Sequence, residues 1–231
     1  MSKNEKSPFV RAIIIVAVIV AVIAITFHAI GEFSYRARIN ERLLSDSEIA
    51  EIFSDLIPKA KEVNEIIWGE GLAVSPDADG PLATQTGAQY RPVSQDCKYK
   101  SVDEIKAAVA MVYSDDFIEK TINPVAFDGN IDEEETKVAS STIYPRYKET
   151  KDENGNTRLN IDITHKNFDC KTELMPETAV FYENELKKVG LVWKIDKIKC
   201  TLKCIYDGKE KDVIITIVKG ENGYRLDDPT Y

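Results

Sequence analysis

His165 and Cys170 are the residues of this chain whose types and spacing suit covalent chemistry, because an imidazole can take a thiol proton and leave a nucleophilic thiolate. The surrounding pattern favours structure over catalysis. His165 shares parity with Leu159, Ile161 and Ile163 in an alternating stretch, on or at the end of an apolar strand face, and no third group is placed to orient it. Cys97, Cys170, Cys200 and Cys204 could instead form bridges. Cys200 and Cys204 alternate inward with Ile198, Leu202 and Tyr206. Four residues of strand separate them by ~13 Å, beyond the ~7 Å limit for a disulfide. They should not bond each other. Cys97–Cys200 with Cys170–Cys204, Cys97–Cys204 with Cys170–Cys200, or one bridge beside two buried thiols then remain open. A zinc site is disfavoured, because structural sites usually use close Cys or His pairs and His165 is the one histidine outside the apolar N-terminal segment. Asp128-Gly129-Asn130-Ile131-Asp132 imitates the start of a calcium loop, but Glu133 stands where Gly is needed and Ala139 where a bidentate Glu is needed. Asp128, Asp132, Glu133, Glu134 and Glu135 therefore read as a solvated acidic loop that a protein partner could meet. No catalytic residue, metal or cofactor is assigned.

The elements that carry these residues begin with an apolar run. Ala12–Ile30 holds twelve Ile, Val or Phe, five Ala, Thr26 and His28, with no formal charge. Nineteen residues at ~1.5 Å each span ~28 Å, close to the ~30 Å hydrocarbon core. At roughly −0.3 kcal/mol per large apolar residue the run gains about −4 kcal/mol on insertion. A cleavable signal is the rival, but Phe27-His28-Ala29 puts a bulky residue where a small one is wanted. The expected organisation is a cytoplasmic tail over 1–11, a transmembrane helix over 12–30, a helical stalk over 31–44 and an extracytoplasmic domain over 45–231. Lys3, Lys6 and Arg11 precede the span and place the N-terminus inside, although Arg36, Arg38 and Arg42 follow it. A long following domain is translocated largely regardless of its charge, and four cysteines suit an oxidising compartment.

The chain carries −9 overall, from 30 basic and 39 acidic residues, with a pI near 4.9. Residues 1–30 hold three basic residues and Glu5, so the other 201 residues carry −11. Nucleic-acid binding is excluded by the lack of a basic face, and an acidic domain is repelled by anionic wall polymers and lipid head groups. Ser45-Asp46-Ser47-Glu48 is a capping box before an apolar stripe from Ile49 to Ile67, which Pro58 should kink or split and Gly69 and Gly71 should end. Residues 72–100 read as a long loop with one short strand near Tyr90–Val93. A second box at Ser101–Glu104 opens a helix that Asn123-Pro124 should end. Past Ser140 the period becomes alternating. Strands are expected at 140–150, 157–165, 178–183, 191–206, 211–219 and 224–226, with turns at Asn154-Gly155, Asp207-Gly208 and Asn222-Gly223. Helices followed by an antiparallel meander make an α+β fold.

Tyr90-Arg91-Pro92-Val93, Ser101–Lys106 running to Val112–Phe117, Tyr144-Pro145-Arg146-Tyr147-Lys148-Glu149 and Asn222–Tyr231 together resemble the DL-endopeptidase inhibitor family of Gram-positive bacteria, over most of residues 48–231. That resemblance implies a non-catalytic extracytoplasmic protein that blocks a cell-wall cysteine peptidase by occupying its cleft. A retained anchor departs from the family's secreted members. The helices-then-sheet order also resembles cone-shaped nuclear-transport-factor-2-like domains. That likeness implies a ligand sensor or envelope scaffold, with Trp68, Tyr182 and Trp193 converging on a cavity. The combined expectation is a single-pass cell-membrane protein whose partner is a cell-wall peptidase or another envelope protein, with neither enzymatic activity nor nucleic-acid binding.

Overall fold

The computed structural model describes residues 8–76, 82–83, 89–128, 144–152, 154–165 and 172–230. Cys170 and Asp132–Glu135 lie outside them. The fold is mixed α+β. Helix α1 runs from Pro8 to Ile39, and its apolar part is long enough to cross a membrane. From Ala12 to Ile30 every side chain stands exposed. The Thr26 hydroxyl donates to the Val22 carbonyl at 2.8 Å, so this polar group is satisfied within the helix. Beyond Ile30 the helix turns polar, and Arg36 pairs with Glu32 while Arg38 pairs with Glu41.

Helix α2, Asp46–Ile67, begins at the full capping box: Ser45 accepts from the Glu48 amide, and the Glu48 carboxylate accepts from the Ser45 amide. It passes through Pro58 without the expected break. Proline deprives the Ser54 carbonyl of its partner, but Ser54 and Pro58 are both exposed, so water can take that acceptor. The opposite face, with Ile49, Phe53, Leu56, Ala60, Val63 and Ile67, is buried.

The second expected helix is shorter than its stripe. Helix α3 covers Val102–Ala110, and α4 covers Asp115–Phe117, N-capped by Ser114. Two π-helical turns follow, Ile118–Ile122 and Pro124–Asp128, so the chain continues past Asn123-Pro124. The interruption has a tertiary cause. The Val112 carbonyl accepts from the Leu226 amide, and the Ser114 amide donates to the Leu226 carbonyl, which ties this segment to the last strand instead of to its own helix.

The strands form two sheets where a single meander is expected. The first has the order β1-β2-β4-β3, from β1 (Leu82–Ala83), β2 (Gln89–Pro92), β3 (Tyr147–Lys151) and β4 (Thr157–Asp162). Strand β2 pairs with β4, so the expected short strand in the loop becomes an inner member of this sheet. The second is the meander β5-β6-β7-β8, from β5 (Glu173–Val189), β6 (Val192–Tyr206), β7 (Lys209–Gly220) and β8 (Gly223–Leu226). Asp207 and Gly208 both take positive φ, 51° and 72°, as a two-residue hairpin turn requires. The β5–β6 hairpin is much longer than its alternating pattern suggests. Register shifts between Met175 and Val180, between Phe181 and Glu183, and between Glu185 and Leu186 scramble the period, so residues 184–190 carry no clean strand signal.

Residues 31–44 are no free stalk. Ser34 Oγ accepts from the Trp193 amide at 3.0 Å and donates to its carbonyl at 3.3 Å, while the Tyr35 and Trp193 rings meet edge to face at 5.5 Å. The Asn184 amide donates to the carbonyls of Arg38 and Glu41 at 2.7 and 2.8 Å. Asp46 accepts from the Phe181 amide, and the Arg42 guanidinium lies over the Phe181 ring. The long hairpin thus runs beside the polar end of α1. One buried cluster joins α2, α3, β4, β6, β7 and β8.

Candidate functional site

A group of buried polar side chains lies where the first sheet meets the C-terminal end of α2. Arg146 immediately precedes β3 and is 1% exposed. Its two terminal nitrogens donate to the carbonyls of Ile67 and Gly69 at 2.9 and 2.6 Å. The Tyr147 hydroxyl donates to Ile66 and accepts from the Leu72 amide. Together they satisfy carbonyls that a helix end leaves without partners, and the positive charge faces the negative end of the helix dipole. Gly71 permits this approach. It has φ +82°, and a Cβ there would lie 2.5 Å from both Arg146 Nη2 and Ile161 Cδ1.

Asp162 and His165 border the same cluster. One Asp162 oxygen accepts from the amides of Gln89 and Thr164 and from the Thr164 hydroxyl. The Tyr90 hydroxyl donates to Pro145 at 2.5 Å, and the Lys148 ammonium sits 3.6 Å from the Tyr90 ring centre. Burial pushes both Tyr90 and Tyr147 up to about 12, so both remain protonated donors. His165 is half-buried with Nε2 unpartnered among the described residues, and burial, then the Arg146 charge, lower its proton affinity while Asp162 opposes them. The two terminal nitrogens of Arg146 and the two tyrosine hydroxyls donate to backbone carbonyls, Arg146 Nε is buried with no partner among the described residues, and Asp162 anchors its own turn. This arrangement locks a helix to a sheet.

A second group surrounds an open cleft of about 530 Å³ between α4 and the β7–β8 turn. Ser114 donates to Asp227, and the Lys197 ammonium contacts Asp227 while lying 4.0 Å from Asp116. Arg225 lines the cleft and donates to the Ala110 carbonyl. Its charged wall suits polar side chains of another protein better than an apolar ligand.

The remaining candidates do not assemble into one centre. Cys97, in the loop after β2, donates to the Ala73 carbonyl at 3.5 Å. Cys200 and Cys204 point inward from β6 of the other sheet, with Leu202 between them. All three are free thiols, so neither full pairing of the cysteines forms. The correction has a topological reason: Cys97 belongs to the first sheet's loops, whereas Cys200 and Cys204 are interior packing residues of the second. Burial pushes the Cys200 thiol up to about 12, unsuited to nucleophilic attack. Asp128 closes the second π-helical turn and is exposed. Among the described residues no group of three His, Cys, Asp or Glu is placed to hold a metal.

Trp68, Tyr182 and Trp193 occupy three separate places. Trp68 is buried in the core at the C-cap of α2, Tyr182 is 52% exposed on β5, and Trp193 lies against α1. Sequence reasoning missed the role of Arg146, since a lone arginine beside a proline carries no sign of burial, and it missed the α1–hairpin contact, which the bulges hide. No family model matches the chain, and no curated protein matches it.

Proposed function

We infer that the chain is a single-pass membrane protein, N-terminus cytoplasmic, whose outward α+β domain binds a protein of the cell envelope and catalyses nothing. The observation that carries the anchor is α1 itself: an apolar helix with no protein packed over residues 12–30, continuing without a break into a polar segment held by the domain. Ser34, which holds Trp193, lies on the same unbroken helix as the apolar run. Protein binding is supported by the open, charged cleft beside Lys197 and Asp227. The partner we propose is a cell-wall cysteine endopeptidase of a Gram-positive envelope, inhibited when the segments around 72–100 and 125–139 enter its cleft.

The test uses the full chain in nanodiscs as bait for a Gram-positive envelope extract, followed by an activity assay on the captured peptidase. Recovery of a wall endopeptidase whose activity falls as the chain is added is the expected result. A peptidase whose activity is unchanged at saturating chain, or capture of secretion components alone, would overturn inhibition.

A further inference from the structure

The tip of the β5–β6 hairpin has a composition unlike the rest of the domain. Residues 186–195 contain Lys187, Lys188 and Lys194 and no acidic residue, in a chain of net charge −9. None of these lysines has an ion-pair partner among the described residues. Lys187 and Lys194 are directly opposite each other across the strands, a like-charge pair that destabilises an isolated hairpin. Beyond them Val189, Leu191 and Val192 are 45%, 48% and 39% exposed around Gly190, whose φ is +64°. A tip that is basic at its shoulders and apolar at its end has the make-up of a membrane-interface element.

Its position agrees. A Cβ on Gly31 would lie 3.7 Å from the Leu191 carbonyl, and Gly31 directly follows the apolar run that ends at Ile30. Trp193 is held by Ser34, three residues along the helix, which is ~4.5 Å higher at ~1.5 Å per residue. A head-group layer is about 5–7 Å deep on each side of the hydrocarbon. The apolar end of the hairpin therefore falls at the hydrocarbon boundary, and the Tyr35–Trp193 pair falls at head-group level, where aromatic rings concentrate. We propose that the β5–β6 hairpin tip seats in the leaflet facing the domain, with Leu191 and Val192 in the upper acyl region and Lys187, Lys188 and Lys194 among anionic lipid head groups. This inference rests on the reading of α1 as a membrane anchor. The acidic domain is repelled by the bilayer as a whole, and the tip supplies the local contact that counters it.

The experiment places a reporter at the tip of the full chain, Leu191→Trp with Trp193→Phe, in nanodiscs of phosphatidylcholine alone or with phosphatidylglycerol. A fraction of the lipid is brominated at upper acyl carbons. Trp68, buried in the core, supplies an unquenched baseline measured in Trp193→Phe alone. The expected result is a blue-shifted, bromine-quenched signal from position 191 that strengthens with phosphatidylglycerol and loses that dependence in Lys187→Glu with Lys194→Glu. A second pair, Leu191→Asp and Val192→Asp, read through native Trp193, should lose the quenching. Chain that resists carbonate extraction but shows no quenching overturns the tip contact and leaves the anchor standing. Equal quenching on neutral and anionic discs overturns the assignment of the lysines to head groups. Chain extracted by carbonate overturns the anchor and the tip contact with it.

Discussion

Cys200 lies under the second sheet with no exposed surface, Cys204 occupies the same face four positions on, and Cys97 is partly exposed in a loop. Alkylation of the native chain should therefore modify Cys97 while Cys200 and Cys204 react only after unfolding, and peptide mass spectrometry without reduction should find all three unbridged. A peptide joining Cys97 to either of the others would contradict the packing. His165 provides a second residue-level test. Its proton affinity is lowered from the ordinary 6.5, first by burial. The unfolded chain then binds more protons at this site between the depressed folded value and 6.5, so its contribution is fully present above 6.5 and is lost as pH falls through that window. Asp46 and Glu48, also lowered, act only below their ordinary 3.8 and 4.5. The denaturant midpoint should drop as pH falls below 6.5, and His165→Asn should flatten that slope. A wild-type midpoint that stays level across this range would mean that the imidazole is not withheld from protons.

Helix α2 is fixed at both ends, by unequal devices. Ser45→Ala removes one side-chain cap and should cost about 1 kcal/mol. At the other end Arg146→Met leaves the carbonyls of Ile67 and Gly69 buried without donors, and should cost about 2–4 kcal/mol. Gly71→Ala should cost about 3 kcal/mol through its positive φ and the clash with Arg146 and Ile161. Thermal unfolding of the full chain ranks the three; a Ser45 variant as damaged as the Arg146 variant would refute the clamp. The start of α2 was legible in the sequence because a capping box is a local signal, and the Asp207-Gly208 turn was legible for the same reason. The early end of α3 was not, because β8 captures Val112 and Ser114 from more than a hundred residues away. The division into two sheets was hidden likewise, since β2 pairs with β4 across an intervening helix region. Of the candidate groups, inward-facing Cys200 and Cys204 followed from alternation, whereas the clamp depends on a partner helix that alternation cannot reveal.

At the scale of the whole molecule, the contact between α1 and the hairpin couples the apolar helix to the domain. Asn184→Ala with Ser34→Ala removes the four hydrogen bonds that hold Asn184 and Trp193 to the helix, and at about 1 kcal/mol each the domain should remain folded but turn against its anchor. Proteolysis of the full chain in nanodiscs checks this: cleavage near Asn40–Leu44 should speed up in the double variant while the domain core stays resistant. An unchanged cleavage rate would show that the contact does not restrain that segment. The restraint also governs reach. Were Asn40–Leu44 an unheld tether, its five residues would let the domain wander by ~17 Å. With the hairpin bound to α1, and α1 retained in a membrane as proposed, the domain would instead travel laterally as the lipids flow, at constant height and in one orientation. On the proposed function, a peptidase working deep in the wall would pass beyond the domain, and only one at the innermost layer would come within its range.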